Sequence, residues 1–160
     1  MHAVMYDIFN AIEDKHWWFS ARKAIIASVV KSFFTVDTHR RILDIGCGTG
    51  GMLSVLRRFG MVTALEADAK AMEYARKKSP EDVVFLHGTF PQNSPVNQSF
   101  HLVTAFDVLE HNEDDIHFLK AISVILTPGG SLLCTVPAFP FLWSDHDRIN
   151  HHKRRYTRKS

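Results

Sequence analysis

Cysteine is nearly absent from this chain of 160 residues, which has only Cys47 and Cys134. We interpret their segments as a buried loop and a buried strand, which excludes a disulfide framework and a paired-cysteine zinc site. No run of 18 apolar residues occurs, and the first residues lack a basic region followed by an apolar one. We therefore expect no membrane span and no secretory signal, and a cytoplasmic location.

An excess of charge of one sign is also missing. The chain has 19 basic and 17 acidic side chains, for a net charge of +2. This gives no field strong enough to make nucleic acid the expected partner, and we predict none. With 46% hydrophobic residues, the chain can bury a core, so we predict one globular domain rather than a disordered protein.

Strand and helix patterns alternate along the middle of the chain. We predict strands over 42–45, 62–65, 83–86, 101–106 and 131–136, and helices over 52–59, 69–78 and 114–126. Such alternation is typical of an α/β fold in which a parallel, doubly wound sheet is covered by helices on both faces. Ligands of such sheets bind at the carboxyl ends of the strands.

Two segments flank this core of residues 39–136. In residues 1–38 the apolar residues recur at intervals of three or four, which predicts a helical cap of two helices joined through His16-Trp17-Trp18-Phe19. Residues 137–160 form an aromatic, histidine-rich arm in which we predict no regular structure. We treat cap, core and arm as one domain, 1–160.

The first core strand runs into a glycine-rich loop, Gly46-Cys47-Gly48-Thr49-Gly50-Gly51. Glycines between a strand and a helix allow a sharp turn and the close approach of a ligand, and the pattern also matches the dinucleotide fingerprint. Asp44, two residues before the first glycine, would repel the pyrophosphate of a nicotinamide cofactor. It would instead attract a cationic ligand, such as one carrying an ammonium and a sulfonium.

A second acid, Glu66, ends the second strand 20 residues beyond Gly46. An acid at this place can accept hydrogen bonds from both hydroxyls of an adenosine ribose. The two signals together favour an adenosine ligand without a pyrophosphate.

Two motifs resemble those of class I, Rossmann-like S-adenosylmethionine-dependent methyltransferases. Residues 41–50 resemble their first motif, and Phe106-Asp107-Val108-Leu109-Glu110-His111 resembles the motif after their fourth strand. Glu13, His16-Trp17-Trp18-Phe19 and Arg22 look like the N-terminal cap of a bacterial subgroup that acts on small molecules. The resemblance covers nearly the whole chain.

The resemblance implies that the methionine part, the ribose and the adenine of S-adenosylmethionine contact three successive strand ends. The implied cofactor residues are Asp44, Gly46, Cys47, Gly48, Glu66, Ala67, Thr89, Phe90, Asp107 and Val108. One position departs from the family pattern, because Thr89 stands where many members place an acid that contacts the adenine amino group.

The aromatic cap has two interpretations. Trp18 could form part of a lid over the sulfonium while Arg22 binds the cofactor carboxylate, or the aromatic side chains could simply pack onto the sheet. His111 likewise could act as a general base or cap the next helix. Methyl transfer from a sulfonium needs mainly alignment, so the reaction itself does not require a base.

Histidines of the arm could suggest a metal site, but adjacent His151 and His152 usually point apart, and we expect no metal. We interpret the arm as an acceptor-recognition segment, as in the resembling subgroup. The basic run from Lys153 to Lys159 is interpreted as a solvated face rather than a nucleic-acid site.

We therefore predict transfer of a methyl group from S-adenosylmethionine to a small-molecule acceptor. The alternatives are a non-catalytic protein that binds S-adenosylmethionine or S-adenosylhomocysteine and, less favoured, a nicotinamide-dependent oxidoreductase. Because family members normally have seven strands and five are predicted here, we expect a truncated chain. Its fifth strand, with Leu132, Leu133 and Val136, would then be an exposed edge that favours self-association.

Overall fold

The structure, a computed structural model, describes residues 3–35, 37, 39–95 and 97–160. Residue 38, the predicted end of the cap, lies outside the described residues. The α-helices are α1 (Ala3–Ile12), α2 (Trp17–Phe33), α3 (Leu53–Leu56), α4 (Ala69–Lys78), α5 (Asp115–Ile125) and α6 (Asp145–Ile149). The strands are β1 (Arg41–Ile45), β2 (Met61–Glu66), β3 (Val84–His87), β4 (Phe100–Phe106) and β5 (Leu126–Thr135).

The five strands form one parallel sheet in the order β3-β2-β1-β4-β5. This confirms the predicted Rossmann-like α/β architecture. The order reverses between β1 and β4, so the chain leaves these neighbouring strands towards opposite sides, and the crevice at their carboxyl ends is where ligands of such folds bind.

Each face of the sheet is covered by a separate apolar cluster. Ile42 packs with Ile26 and Val30 of α2, whereas the adjacent Leu43 packs with Phe118 and Ile122 of α5. Successive side chains of a strand point to opposite faces, so a strand buried on both sides has apolar residues at successive positions, as β1 has at Ile42 and Leu43. The doubly wound arrangement follows directly from that pattern in β1.

The cap differs from the prediction at its aromatic segment. Two helices are present, but only His16 of the aromatic segment lies between them, and Trp17 opens α2. His16 has extended backbone angles, and its Nδ1 accepts a hydrogen bond from the Trp18 N–H at 3.3 Å. It therefore caps the helix, and the aromatic residues that follow belong to the first turn.

The last strand begins five residues earlier than predicted. Thr127 to Gly130 lie within β5 as an irregular bulge, since Phe100 pairs with Leu126 whereas Leu102 pairs with Ser131. β5 is an edge of the sheet, as predicted, while self-association through it stays a prediction. Cys134 on this edge is exposed, which corrects its predicted burial.

Two other predicted segments change in length or type. The helix predicted over 52–59 is only the four-residue α3. The chain leaves it early because Met61 must donate to the Arg40 carbonyl at 2.8 Å where β2 begins. The arm contains α6, which begins with a capping box between Ser144 and Asp147. No helix in the described part of the chain is long and apolar enough to cross a membrane.

Candidate active site

A cavity of about 490 Å³ opens at the carboxyl ends of β1, β2 and β4. The structure brings nearly all the predicted site residues into its wall. Those lining it are Arg22, Asp44, Gly46, Cys47, Gly48, Glu66, Ala67, Thr89, Phe90, Asp107, Val108 and His111. Trp18 is not among the lining residues, and its neighbour Phe19 is there instead.

The glycine loop bends back against the segment that follows β4. Gly46 has a φ of +68°, and a Cβ there would lie 2.7 Å from Val108 Cγ2. Gly48 also has a positive φ, +56°, but no atom lies within 4 Å of the place a Cβ would take. Gly46 is therefore required for packing, whereas Gly48 leaves open space in which a ligand can approach the backbone.

Glu66 is held by the loop that it faces. Its Oε2 accepts a hydrogen bond from the Gly48 N–H at 2.8 Å, and its Oε1 accepts one from the Asp68 N–H at 2.9 Å. The residue is 7% exposed. Because each carboxylate oxygen can accept a second hydrogen bond, the side chain is fixed in position but can still accept two hydroxyl donors.

Asp44 lies beneath the loop and is 2% exposed. Thr104 Oγ1 donates a hydrogen bond of 2.6 Å to its Oδ1. Burial raises the pKa of Asp44 to about 7, the Thr104 hydrogen bond opposes this rise, and the charge of Glu66 adds to it. No cationic side chain is paired with Asp44 among the described residues. A cationic ligand in the cavity would therefore stabilise its charged form.

Asp107 connects the cap to the ends of two strands. Arg22 donates hydrogen bonds to Asp107 Oδ2 at 2.5 Å and to Thr135 Oγ1 at 2.7 Å, and Thr135 donates to Asp107 Oδ1 at 2.9 Å. The guanidinium carbon of Arg22 also lies 5.2 Å from the centre of the Trp18 ring. Trp18 thus contacts Arg22 from outside the lining of the cavity, and its place in a lid stays a prediction.

The predicted adenine loop forms one side of the cavity. Phe90 is buried and makes an edge-on contact with Phe118, the ring centres being 5.0 Å apart. The Thr89 N–H donates to Asn93 Oδ1 at 3.0 Å, and Thr89 Oγ1 donates to Gln92 Oε1 at 3.3 Å. Phe90 therefore forms a rigid apolar part of the cavity wall. The polar groups of Thr89 make hydrogen bonds within the loop.

Helix α1 and the turn after it contribute lining residues for which the sequence predicted no role. Tyr6, Phe9 and Glu13 all line the cavity. Glu13 is buried, accepts a hydrogen bond from Thr49 Oγ1 at 2.8 Å and pairs with Lys78. Burial, with the charges of Glu66 and Asp68, raises the pKa of Tyr6 to about 12. Of these three residues, only Glu13 was named from the sequence, as part of the cap motif, and no role was predicted for that residue.

His111 lies in a short 3-10 turn after β4, next to the buried Glu110. Its ring makes an edge-on contact with that of His152 from the arm, at 4.8 Å between centres. Burial and then the neighbouring His152 lower the pKa of His111, which favours the neutral form of its imidazole. A neutral imidazole can accept a proton or bind a metal.

Comparison with known proteins identifies the family. A family model described as a methyltransferase domain matches residues 17–159. This chain belongs to that family. It is 36% identical over 145 residues to the mitochondrial ubiquinone biosynthesis O-methyltransferase of Schizosaccharomyces pombe, covering 79% of this chain and 52% of that protein.

Solved methyltransferases share the fold. A chain from the complex of the Haloferax volcanii Trm112 methyltransferase activator with a methyltransferase superposes with a TM-score of 0.72 at 24% identity. The match covers 96% of this chain and 71% of that one. The glycopeptide N-methyltransferase MtfA, solved with S-adenosylmethionine, superposes with a TM-score of 0.61 at 20% identity, over 73% and 55% of the two chains.

The chain spans about half the length, or less, of the curated relatives that it matches first. The match establishes the family of the described domain, and the acceptor of the whole protein is a separate question.

Proposed function

We propose that the chain binds S-adenosylmethionine in the cavity and transfers its methyl group to a small-molecule acceptor. The observation that carries this proposal is the pair of buried carboxylates, Asp44 and Glu66, on either side of the glycine loop. One has no cationic partner among the described residues, and the other is held so that it can accept two more hydrogen bonds.

The residues present fit this cofactor. Asp44 would attract its cationic methionine part, directly or through water, and the open space beside Gly48 would admit it close to the backbone. Glu66 would accept the two ribose hydroxyls, and Phe90 would pack against the adenine. The rise in the pKa of Asp44 supports this assignment, because an adjacent cation would stabilise the carboxylate.

Bound S-adenosylmethionine supplies a methyl group on a sulfonium, which is already an activated leaving group. The protein then has mainly to orient the two reactants and exclude water. Phe9 and Phe19 of the cap line the cavity and would exclude water from it. Asp107, held by Arg22, would lie beside the cofactor, and His111 stays a candidate general base for a hydroxyl acceptor.

The acceptor is proposed by class only. The name of the S. pombe relative favours O-methyl transfer to an intermediate of ubiquinone biosynthesis. The HWWF-cap subgroup also stays a proposal, although the matched region begins at Trp17 and so includes most of the motif. The expected cytoplasmic location stays a prediction from composition.

Two observations disfavour the nicotinamide alternative, one hydrogen bond and the length of one helix. The Gly48 N–H, which would face a pyrophosphate, already donates to Glu66. The helix after the glycine loop has only four residues, so its dipole offers little to a dianion.

The test is transfer of labelled methyl from S-adenosylmethionine to a panel of catechols, quinols, amines and sugars. We expect label on one acceptor class, and its loss in Glu66→Ala. The matched control Asp14→Asn, which changes an exposed acid paired with Lys23, should keep activity. Binding of S-adenosylhomocysteine without transfer to any acceptor would support the non-catalytic alternative instead.

A further inference from the structure

A buried carboxylate without a partner lies beside the cavity. Glu110 is 1% exposed, and within the described part of the chain neither of its carboxylate oxygens has a hydrogen-bond partner. Burying a carboxylate in this way costs several kcal/mol unless a cation or donors compensate for the lost water. A cation bound beside Glu110 would compensate for that cost.

Two imidazoles face the same point. One ligand atom each from Glu110, His111 and His152 lie within 4.8 Å of one another. His152 Nε2 is 4.0 Å from Glu110 Oε1, too far for a hydrogen bond. The three side chains thus bring one ligand atom each to a common point, with no hydrogen bond between Glu110 and His152.

Asp147 fixes the orientation of His152. It is fully buried, Arg155 donates to both of its oxygens at 2.8 Å, and His152 Nδ1 lies 3.0 Å from its Oδ1. A carboxylate paired with a guanidinium is ionised and can only accept, so Nδ1 carries the hydrogen of His152. The lone pair is then on Nε2, which faces Glu110. A carboxylate that orients a histidine in this way is the usual support of a metal ligand.

We propose that Glu110, His111 and His152 together bind one divalent transition-metal ion. Two imidazole nitrogens and one carboxylate suit Zn²⁺ and similar ions, whereas Mg²⁺ and Ca²⁺ prefer oxygen ligands. Ligand atoms on one Zn²⁺ are about 3.4 Å apart, which follows from bonds of about 2.1 Å in a tetrahedron. The ligand atoms of the three side chains need to approach one another by only about an ångström to reach that geometry.

The proposed metal site does not depend on the proposed function, but a metal ion bound there would affect the cavity in which methyl transfer is proposed. Its ligands come from the turn after β4 and from the arm, so the ion would fasten the arm to the cavity wall. Because His111 lines the cavity, the ion would lie at that wall with one position left for an oxygen ligand. The nitrogen of His111 that binds it could not also act as a general base. The expectation of no metal considered only histidines adjacent in sequence and missed this cluster.

The experiment is calorimetric titration of the chelator-treated protein with Zn²⁺, repeated with Co²⁺ and Mg²⁺. We expect one Zn²⁺ per chain, visible absorption from bound Co²⁺, and no competition from Mg²⁺. Glu110→Gln keeps the shape of the side chain and should weaken Zn²⁺ binding about tenfold or more, as should His152→Ala. The matched control is His117→Ala, which removes an exposed imidazole from α5 and should leave binding unchanged.

Three results would overturn the proposal. The first is the absence of a stoichiometric Zn²⁺ site in the wild type. The second is a Zn²⁺ affinity in both Glu110→Gln and His152→Ala that equals that of the wild type. The third is a loss of affinity in His117→Ala as large as the loss in those two variants. Far-ultraviolet circular dichroism and the affinity for S-adenosylhomocysteine report whether each variant is folded. Cofactor binding without Zn²⁺ binding would refute the metal site and leave the proposed function standing.

Discussion

Replacing Asp44 by asparagine should stabilise the ligand-free protein while weakening cofactor binding. Burial raises the pKa of Asp44 from 3.8 to about 7. One pKa unit corresponds to about 1.4 kcal/mol, so the ionised side chain costs the fold about 4 kcal/mol at pH 8. Asparagine has the same shape and can still accept the hydrogen bond from Thr104, but it carries no charge to be buried.

The gain in stability should depend on pH. Because the pKa of Asp44 is higher in the folded state than in the unfolded chain, its contribution to stability falls as the pH rises from about 4 to about 7. The advantage of Asp44→Asn should therefore be about 2 kcal/mol larger at pH 8 than at pH 5.5. Urea unfolding at the two pH values measures it. The exposed Asp14→Asn should change the free energy of unfolding by less than about 1 kcal/mol at either pH.

Three outcomes would refute this reasoning. A gain that is the same at both pH values, or a loss at pH 8, would show that Asp44 is not a buried carboxylate with a raised pKa. An unchanged affinity for S-adenosylhomocysteine would show that its charge does not attract the ligand.

Four further substitutions test the loop and the arm. Glu66→Ala should weaken binding of S-adenosylhomocysteine by about 1–3 kcal/mol, since an acceptor of two hydroxyls is lost, and an unchanged Kd in calorimetry would place the ribose elsewhere. Gly46→Ala should lower the urea midpoint more than Gly48→Ala, because both have positive φ but only the first meets Val108, and equal losses would contradict the packing role. Asp147→Asn should speed tryptic cleavage of the arm, because a neutral amide cannot hold its paired guanidinium as well, and equal rates would show that this buried acid does not fix the arm.

The carboxyl-end site was predictable because its signals are local. A strand that is apolar on successive residues, a run of glycines and an acid at the next strand end all lie within 25 residues, and parallel strands bring such ends to one edge. The bend at Gly46 and the position of Glu66 follow from this pattern. The identity of each strand-end residue was therefore enough to place it in the cavity wall.

The remaining features depend on contacts between distant segments. Glu110 and His152 are 42 positions apart in sequence, and only the return of the arm to the turn after β4 brings them together. Phe19 lines the cavity and its neighbour Trp18 does not, and which of two adjacent aromatic residues does so depends on how α2 packs, which no local pattern specifies. Glu13, in the turn after α1, is held at the cavity by its pair with Lys78 of α4, a contact between distant segments that no local pattern predicts.

Titration of the purified chain at pH 8 with S-adenosylhomocysteine, and separately with reduced nicotinamide adenine dinucleotide, tests the central claim most directly. We expect S-adenosylhomocysteine to bind with one site per chain and micromolar affinity, and the nicotinamide cofactor not to bind. Saturation by the nicotinamide cofactor, or by neither ligand, would contradict the assignment of this cavity to S-adenosylmethionine.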